Sequence, residues 1–149
     1  KYGFKQTAID NAIKYLITGE VTAPLSPSED YHYIKNLQGK KFIVTAGFLR
    51  KQTTKVKMLG IADDFEEVYV VDVTTSNQNK KDAFNALIEK YKLNPDNILV
   101  IGDDAESEIK FGLELGLSTF LLDPENLHPN AKTTFRGNDL SKLHQAAGQ

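Results

Sequence analysis

From residue 41 onward, short apolar runs recur between polar stretches: KFIVTAG (41 to 47), EVYVVD (67 to 72), NILVIGD (97 to 103) and STFLLD (118 to 123). Each is rich in β-branched or large aliphatic residues and is apolar on both faces, the pattern of a strand buried on both sides. The segments between them carry a helical period. Phe84, Leu87, Ile88 and Tyr91 fall at the i, i+3, i+4, i+7 spacing of one apolar face, and Val56 and Leu59 continue such a face in LRKQTTKVKMLG, which Gly60 closes. Strands alternating with helices predict βαβ units, a parallel sheet and right-handed crossovers. Ahead of this region, residues 4 to 18 read as one helix. SPSEDYHYIKNLQ reads as another, with Ser26 or Ser28 as its cap and Pro27 near its first turn. The tail, TTFRGNDLSKLHQAAGQ, offers a short edge strand and a last helix capped by Asn138 or Asp139.

Composition narrows the function classes. With 149 residues and 40% hydrophobic content the chain can bury one core, and one domain is the default. A net charge of −2 and a pI near 5.9 provide no basic field for nucleic acid or an anionic membrane, and no local basic patch replaces it. The absence of cysteine excludes disulfides and thiolate metal sites, and fits a reducing compartment. His32, His128 and His144 show no ligand spacing. No apolar run approaches the roughly 20 residues that span a bilayer. The expectation is a soluble, cytoplasmic protein. The chain begins Lys1-Tyr2-Gly3 without methionine, so the numbering is expected to start inside a longer polypeptide.

Open parallel sheets bind ligands beyond the carboxyl ends of their strands. That rule selects Thr45, Asp72, Asp103 with Asp104, and Asp123. A lone Asp at such a place is more often a turn residue, and Asp123, followed by Pro124, is most simply that. The ordered combination is more specific. FIVTAG, then Lys80 at 35 residues after Thr45, then VIGDDAESE with Asp103 at 23 residues after Lys80, resembles the second, third and fourth motifs of the haloacid dehalogenase (HAD) superfamily. The intervening TAGFLRKQTTKVKMLGIADDFEEVYVVD, KKDAFNALIEKYKLNPDNILVIGDD and IKFGLELGLSTFLLD are similar to that family's segments, over about residues 20 to 143.

The resemblance implies an α/β fold with a HAD-like (Rossmann-like) parallel sheet flanked by helices, and phosphoryl transfer through an aspartyl-phosphate. By that resemblance Thr45, with Ala46 and Gly47, would bind the transferring phosphoryl group, and Lys80 would neutralise charge on it and on the nucleophile. Lys81 is the one-residue alternative to Lys80. Asp103 would bind Mg2+, with Asp104 or Glu108 as the second acid; the family's commonest pattern has Asp where Glu108 stands.

The family's first motif, a hydrophobic strand ending in Asp-x-Asp, does not precede Thr45. Asp72 in VYVVDVTTS faintly resembles it, yet would break the family's motif order. The expectation is therefore a chain that lacks the first strand and most of a helical cap. Residues 1 to 20 would be the end of that cap or a connecting helix, and 21 to 149 the HAD-like core domain. The gap predicts an incomplete sheet, or one completed by the missing segment or by a second chain. The functional expectation is a Mg2+-dependent phosphatase acting on a small phosphorylated metabolite, with the chain alone inactive. The alternatives are a dehalogenase-type hydrolase, which needs no metal, and a non-catalytic phosphate-binding or interaction module.

Overall fold

The computed structural model describes residues 25–149, so the helix expected over residues 4 to 18 and the cap segment 1 to 20 lie outside the described residues. Within these bounds the chain forms two compact units: one comprises residues 25–27 and 41–78, the other residues 28–40 and 79–149. Each holds a parallel sheet with helices packed on it, as the alternating pattern predicts.

The first unit contains strand β1 (Phe42–Gly47), helix α2 (Leu49–Leu59), a 3-10 turn at Ala62–Asp64 and strand β2 (Glu67–Asp72). The strands pair in parallel from Phe42↔Glu67 to Gly47↔Asp72. Helix α2 turns Val56 inward and ends at Gly60, which takes a left-handed φ of 68°.

The second unit begins with helix α1 (Tyr31–Lys35) and continues with α3 (Lys80–Tyr91), β3 (Leu99–Gly102), α4 (Lys110–Glu114), β4 (Ser118–Leu122), β5 (Phe135–Gly137) and α5 (Leu143–Ala146). Its sheet has the order β3-β4-β5, all parallel, with β5 as the expected edge strand. Both faces of β4 are covered, as its apolar run predicts. Phe120 packs with Leu140 and Leu143, against Tyr33, Ile34 and Leu37; its neighbour Leu121 packs with Ala105 and Ile109. Thr119, fully buried, satisfies its hydroxyl through Thr133 at 2.9 Å and the Thr134 amide at 3.0 Å.

Two expected caps are corrected. Helix α1 starts at Tyr31, and neither Ser26 nor Ser28 caps it with a side chain. The Ser28 hydroxyl donates to Asp30 Oδ1 at 2.7 Å, and Asp30 Oδ2 is drawn away to accept from the Leu140 amide at 3.2 Å. At the tail, Asp139 accepts from the Ser141 amide at 2.9 Å, so it caps the preceding turn; α5 begins after Lys142 without a side-chain cap. The five strands fall into two separate sheets among the described residues.

Candidate functional site

At the carboxyl end of β1 the chain passes through Phe48 into α2. Thr45 donates its hydroxyl to Gln52 Oε1 at 3.1 Å. Gln52 lies on the first turns of α2 and folds back onto the strand end, where a Cβ on Gly47 would stand 2.7 Å from Gln52 Nε2. Gly47 also has φ of +153°, so the position suits glycine on two counts. Ala46 is exposed at this strand end. Sequence reasoning identified Thr45 and missed Gln52; the signal was a polar residue on the otherwise apolar face of Val56 and Leu59.

Asp72, at the end of β2, accepts from the amide and hydroxyl of Thr74 at 2.9 and 2.7 Å. Those bonds, the hydroxyl first, hold its carboxyl below the ordinary range. The carboxylate thus closes a local turn, the ordinary behaviour of Asp at a strand end.

The carboxyl end of β3 is built differently. After Gly102, Asp103 and Asp104, residues Ala105–Ile109 form one π-helical turn before α4 begins. Such wide turns concentrate at functional sites. Asp104 Oδ1 accepts from the Glu106 amide at 2.9 Å and so caps this turn. Glu108, 8% exposed, folds back toward the strand: its Oε1 accepts from the amides of Asp103 and Asp104, both at 3.2 Å. Its Oε2 accepts from Lys80 Nζ at 2.7 Å.

Lys80 is the first residue of α3. Asn79 caps that helix through the amides of Lys81 and Asp82, and Asp82 returns the bond to the Asn79 amide. This capping box fixes the direction in which Lys80 leaves the helix. Lys81 leads elsewhere, to Glu114 at 3.0 Å, where both side chains are substantially exposed. Lys80 is therefore the lysine that reaches the strand end. Burial of Glu108 raises its pKa, but the hydrogen bond and charge of Lys80, with backbone amides of the turn, outweigh that and hold it below its ordinary value.

Hard divalent cations take oxygen donors, and Mg2+ commonly uses one or two carboxylates with retained waters. Asp103 is exposed, and its carboxylate accepts no hydrogen bond among the described residues. It fits such an ion. Both oxygens of Glu108 are engaged. No group of three or more His, Cys, Asp or Glu residues that could hold a metal occurs among the described residues.

One further arrangement lay beyond the sequence pattern. Asp123, buried at the end of β4, accepts from the amides of Leu127 at 2.8 Å and His128 at 3.0 Å, and from Arg136 Nη1 at 3.0 Å. Arg136 also donates to the carbonyls of His128 and Ala131. Burial raises the Asp123 pKa; the two amides, with the nearby positive charges, bring it below the usual range. An arginine inside the short edge strand FRG was the available signal. Asp123 does form a turn, but one clamped from β5.

The chain belongs to the haloacid dehalogenase-like hydrolases, whose family model matches residues 3–116. It is 27% identical over 118 residues to the HAD-hydrolase YfnB of Bacillus subtilis, covering 77% of this chain and 50% of that protein. It is 32% identical over 112 residues to the pyrimidine 5′-nucleotidase YjjG of Escherichia coli, covering 69% of this chain and 47% of that one. A crystal structure of YfnB bound to magnesium superposes with a TM-score of 0.70 at 26% identity, over 80% of this chain and 54% of YfnB. The chain thus spans about half the length of the curated relatives it matches. No helix among the described residues is long and apolar enough to cross a membrane.

Proposed function

We propose that the whole protein carrying this chain is a Mg2+-dependent phosphatase that acts on a small phosphorylated metabolite through an aspartyl-phosphate. The observation that carries this reading is the Lys80–Glu108 pair at 2.7 Å, which holds an ammonium at the strand end that also bears Asp103. Membership of the hydrolase family, the nucleotidase activity of YjjG and the magnesium-bound state of YfnB support it.

In this reading Lys80 lowers the energy of negative charge spread over the transferring phosphoryl oxygens, the main demand of such a transition state. By the family resemblance Thr45 would offer its hydroxyl to a phosphoryl oxygen in place of Gln52, with Ala46 and Gly47 also binding phosphate. Asp103 would hold Mg2+, with Asp104 next to it; the ion, when bound, would neutralise phosphoryl charge. The attacking aspartate would come from a segment beyond the described residues. The chain by itself is then inactive. Residues 1 to 20 would end a cap, and residues 21 to 149 form the core. The lack of cysteine and of a basic field fits a cytoplasmic protein without nucleic-acid partners.

Hydrolysis of p-nitrophenyl phosphate by the whole protein, with Mg2+ and with a chelator, tests this reading. Turnover that requires Mg2+ and is lost in Asp103→Asn is expected. Chelator-insensitive release of halide from a 2-haloacid, without phosphate release, would replace it with the dehalogenase reading.

A further inference from the structure

Glu108 stands where a second metal-binding acid is expected, yet its environment already satisfies it. One oxygen meets an ammonium at 2.7 Å and the other meets two amides at 3.2 Å. Oε1 is filled by the two amides, and a cation drawn to Oε2 would have to share that oxygen with the like-charged Lys80 ammonium. The fold-back depends on space. A Cβ at Gly102 would collide with Glu108 Cγ and Oε1, closer than any real side chain tolerates. It depends on reach as well, since the carboxylate must return from the π-turn to amides four and five residues earlier. The methylene that distinguishes Glu from Asp extends that reach.

We infer that Gly102 and Glu108 act as one positioning device: the bare α-carbon at 102 seats the Glu108 carboxylate, committing it to Lys80 and two backbone amides instead of to a cation. Lys80 is thereby aimed from one side, and the Asp103–Asp104 turn is held from beneath. Asp103 keeps its carboxylate outward and takes the cation role alone or with Asp104. The aim given to Lys80 matters for turnover only under the phosphatase reading. The steric coupling of Gly102 to Glu108 does not depend on it.

The test is a double-mutant cycle in the whole protein, read by hydrogen exchange at the Asp103 and Asp104 amides. It needs neither substrate nor metal. Gly102→Ala and Glu108→Ala should each speed exchange about tenfold. The double variant should exchange like Glu108→Ala alone, because the added methyl then meets nothing. If Gly102→Ala speeds exchange by the same factor in both backgrounds, the device is refuted.

Should Gly102→Ala fail to fold, Glu108→Gln carries the test, since it keeps length and an amide acceptor but loses charge. Protection of the two amides within about twofold of the unaltered protein is expected. With p-nitrophenyl phosphate, kcat should fall about tenfold while half-saturation by Mg2+ moves less than about twofold. A rise of about tenfold or more in Mg2+ half-saturation would make Glu108 a ligand and overturn the inference. If no phosphate ester is hydrolysed, the phosphatase reading fails by itself and the exchange measurements still decide the positioning device.

Discussion

The carboxyl ends of β1 and β3 use the same backbone device for different chemistry. In both, a glycine at or near the strand end leaves room for a side chain that folds back from the following helical turn: Gln52 over Gly47, Glu108 over Gly102. The β1 version is neutral, an amide accepting one hydroxyl from Thr45. The β3 version is ionic, a carboxylate joining Lys80 to two amides. A strand end can thus be stiffened without fixing its charge, and the residue that folds back decides which chemistry it serves. The cores differ too. Among the described residues, the three-stranded unit buries Phe84, Leu87, Val100, Ile109, Phe120, Leu121 and Leu143, whereas the two-stranded unit buries Val56 and Val71.

The largest expected effect tests the cores. Phe120→Ala should cost about 3–5 kcal/mol in urea unfolding, because a fully buried ring leaves a cavity. Val71→Ala, in the smaller core, should cost about 1–3 kcal/mol. Equal costs would erase the contrast.

Chemistry tests the strand ends. Lys80→Met should lower kcat with p-nitrophenyl phosphate by about 10²–10³-fold, as loss of a charge-stabilising donor does. Gln52→Leu should lower it less than about tenfold, since Gln52 only holds the Thr45 hydroxyl. A reversed order would mean that the neutral end carries the greater part of transition-state stabilisation.

Helix capping offers a smaller contrast. Asn79→Ala should destabilise by about 1 kcal/mol through loss of the capping box, measured by thermal unfolding. Helix α2 has no side-chain cap to lose.

The pH dependence of Asp123 gives the subtlest effect. Its pKa lies below the ordinary carboxylate value, so the stability it contributes is present in full above about pH 4 and is lost as pH falls through the lowered folded-state value. The stability difference between the unaltered protein and Asp123→Asn should therefore shrink on acidification from about pH 6 to about pH 2. A difference constant across that range would show that the clamp works without charge.

The strands were legible because their runs are apolar on both faces, although among the described residues only β4 buries both and β1 buries none fully; α2 and α3 were legible because their periods and Gly60 mark face and end. Motif order singled out Lys80 and Asp103, and the structure brings Lys80 to the Glu108 carboxylate that also holds the Asp103 amide. What escaped was set by groups distant in sequence. Asp30 is drawn to the Leu140 amide, so α1 starts late, and Arg136 crosses from β5 to Asp123. Spacing could not show how far a side chain folds back either. The identity of residue 102 gives Glu108 its path, and no periodicity encodes that.

The clamp at Asp123 also bears on how the loop beyond β4 can change over evolutionary time. Asp123 grips the amides of Leu127 and His128, and Arg136 grips the carbonyls of His128 and Ala131, so the loop's path is written in main-chain atoms. Its side chains are free of that task, and Leu127 stands 68% exposed at the bend. Exposed positions such as Leu127 can therefore vary while the outline persists, whereas Asn126, at a left-handed φ of 52°, favours Asn or Gly, and Ala131 packs on the core of Ala105, Ile109 and Leu121. Proline is barred at 126, 127, 128 and 131, where an N–H must be given. Two residues outside the loop thus preserve most of its shape, and its exposed positions are left open to variation.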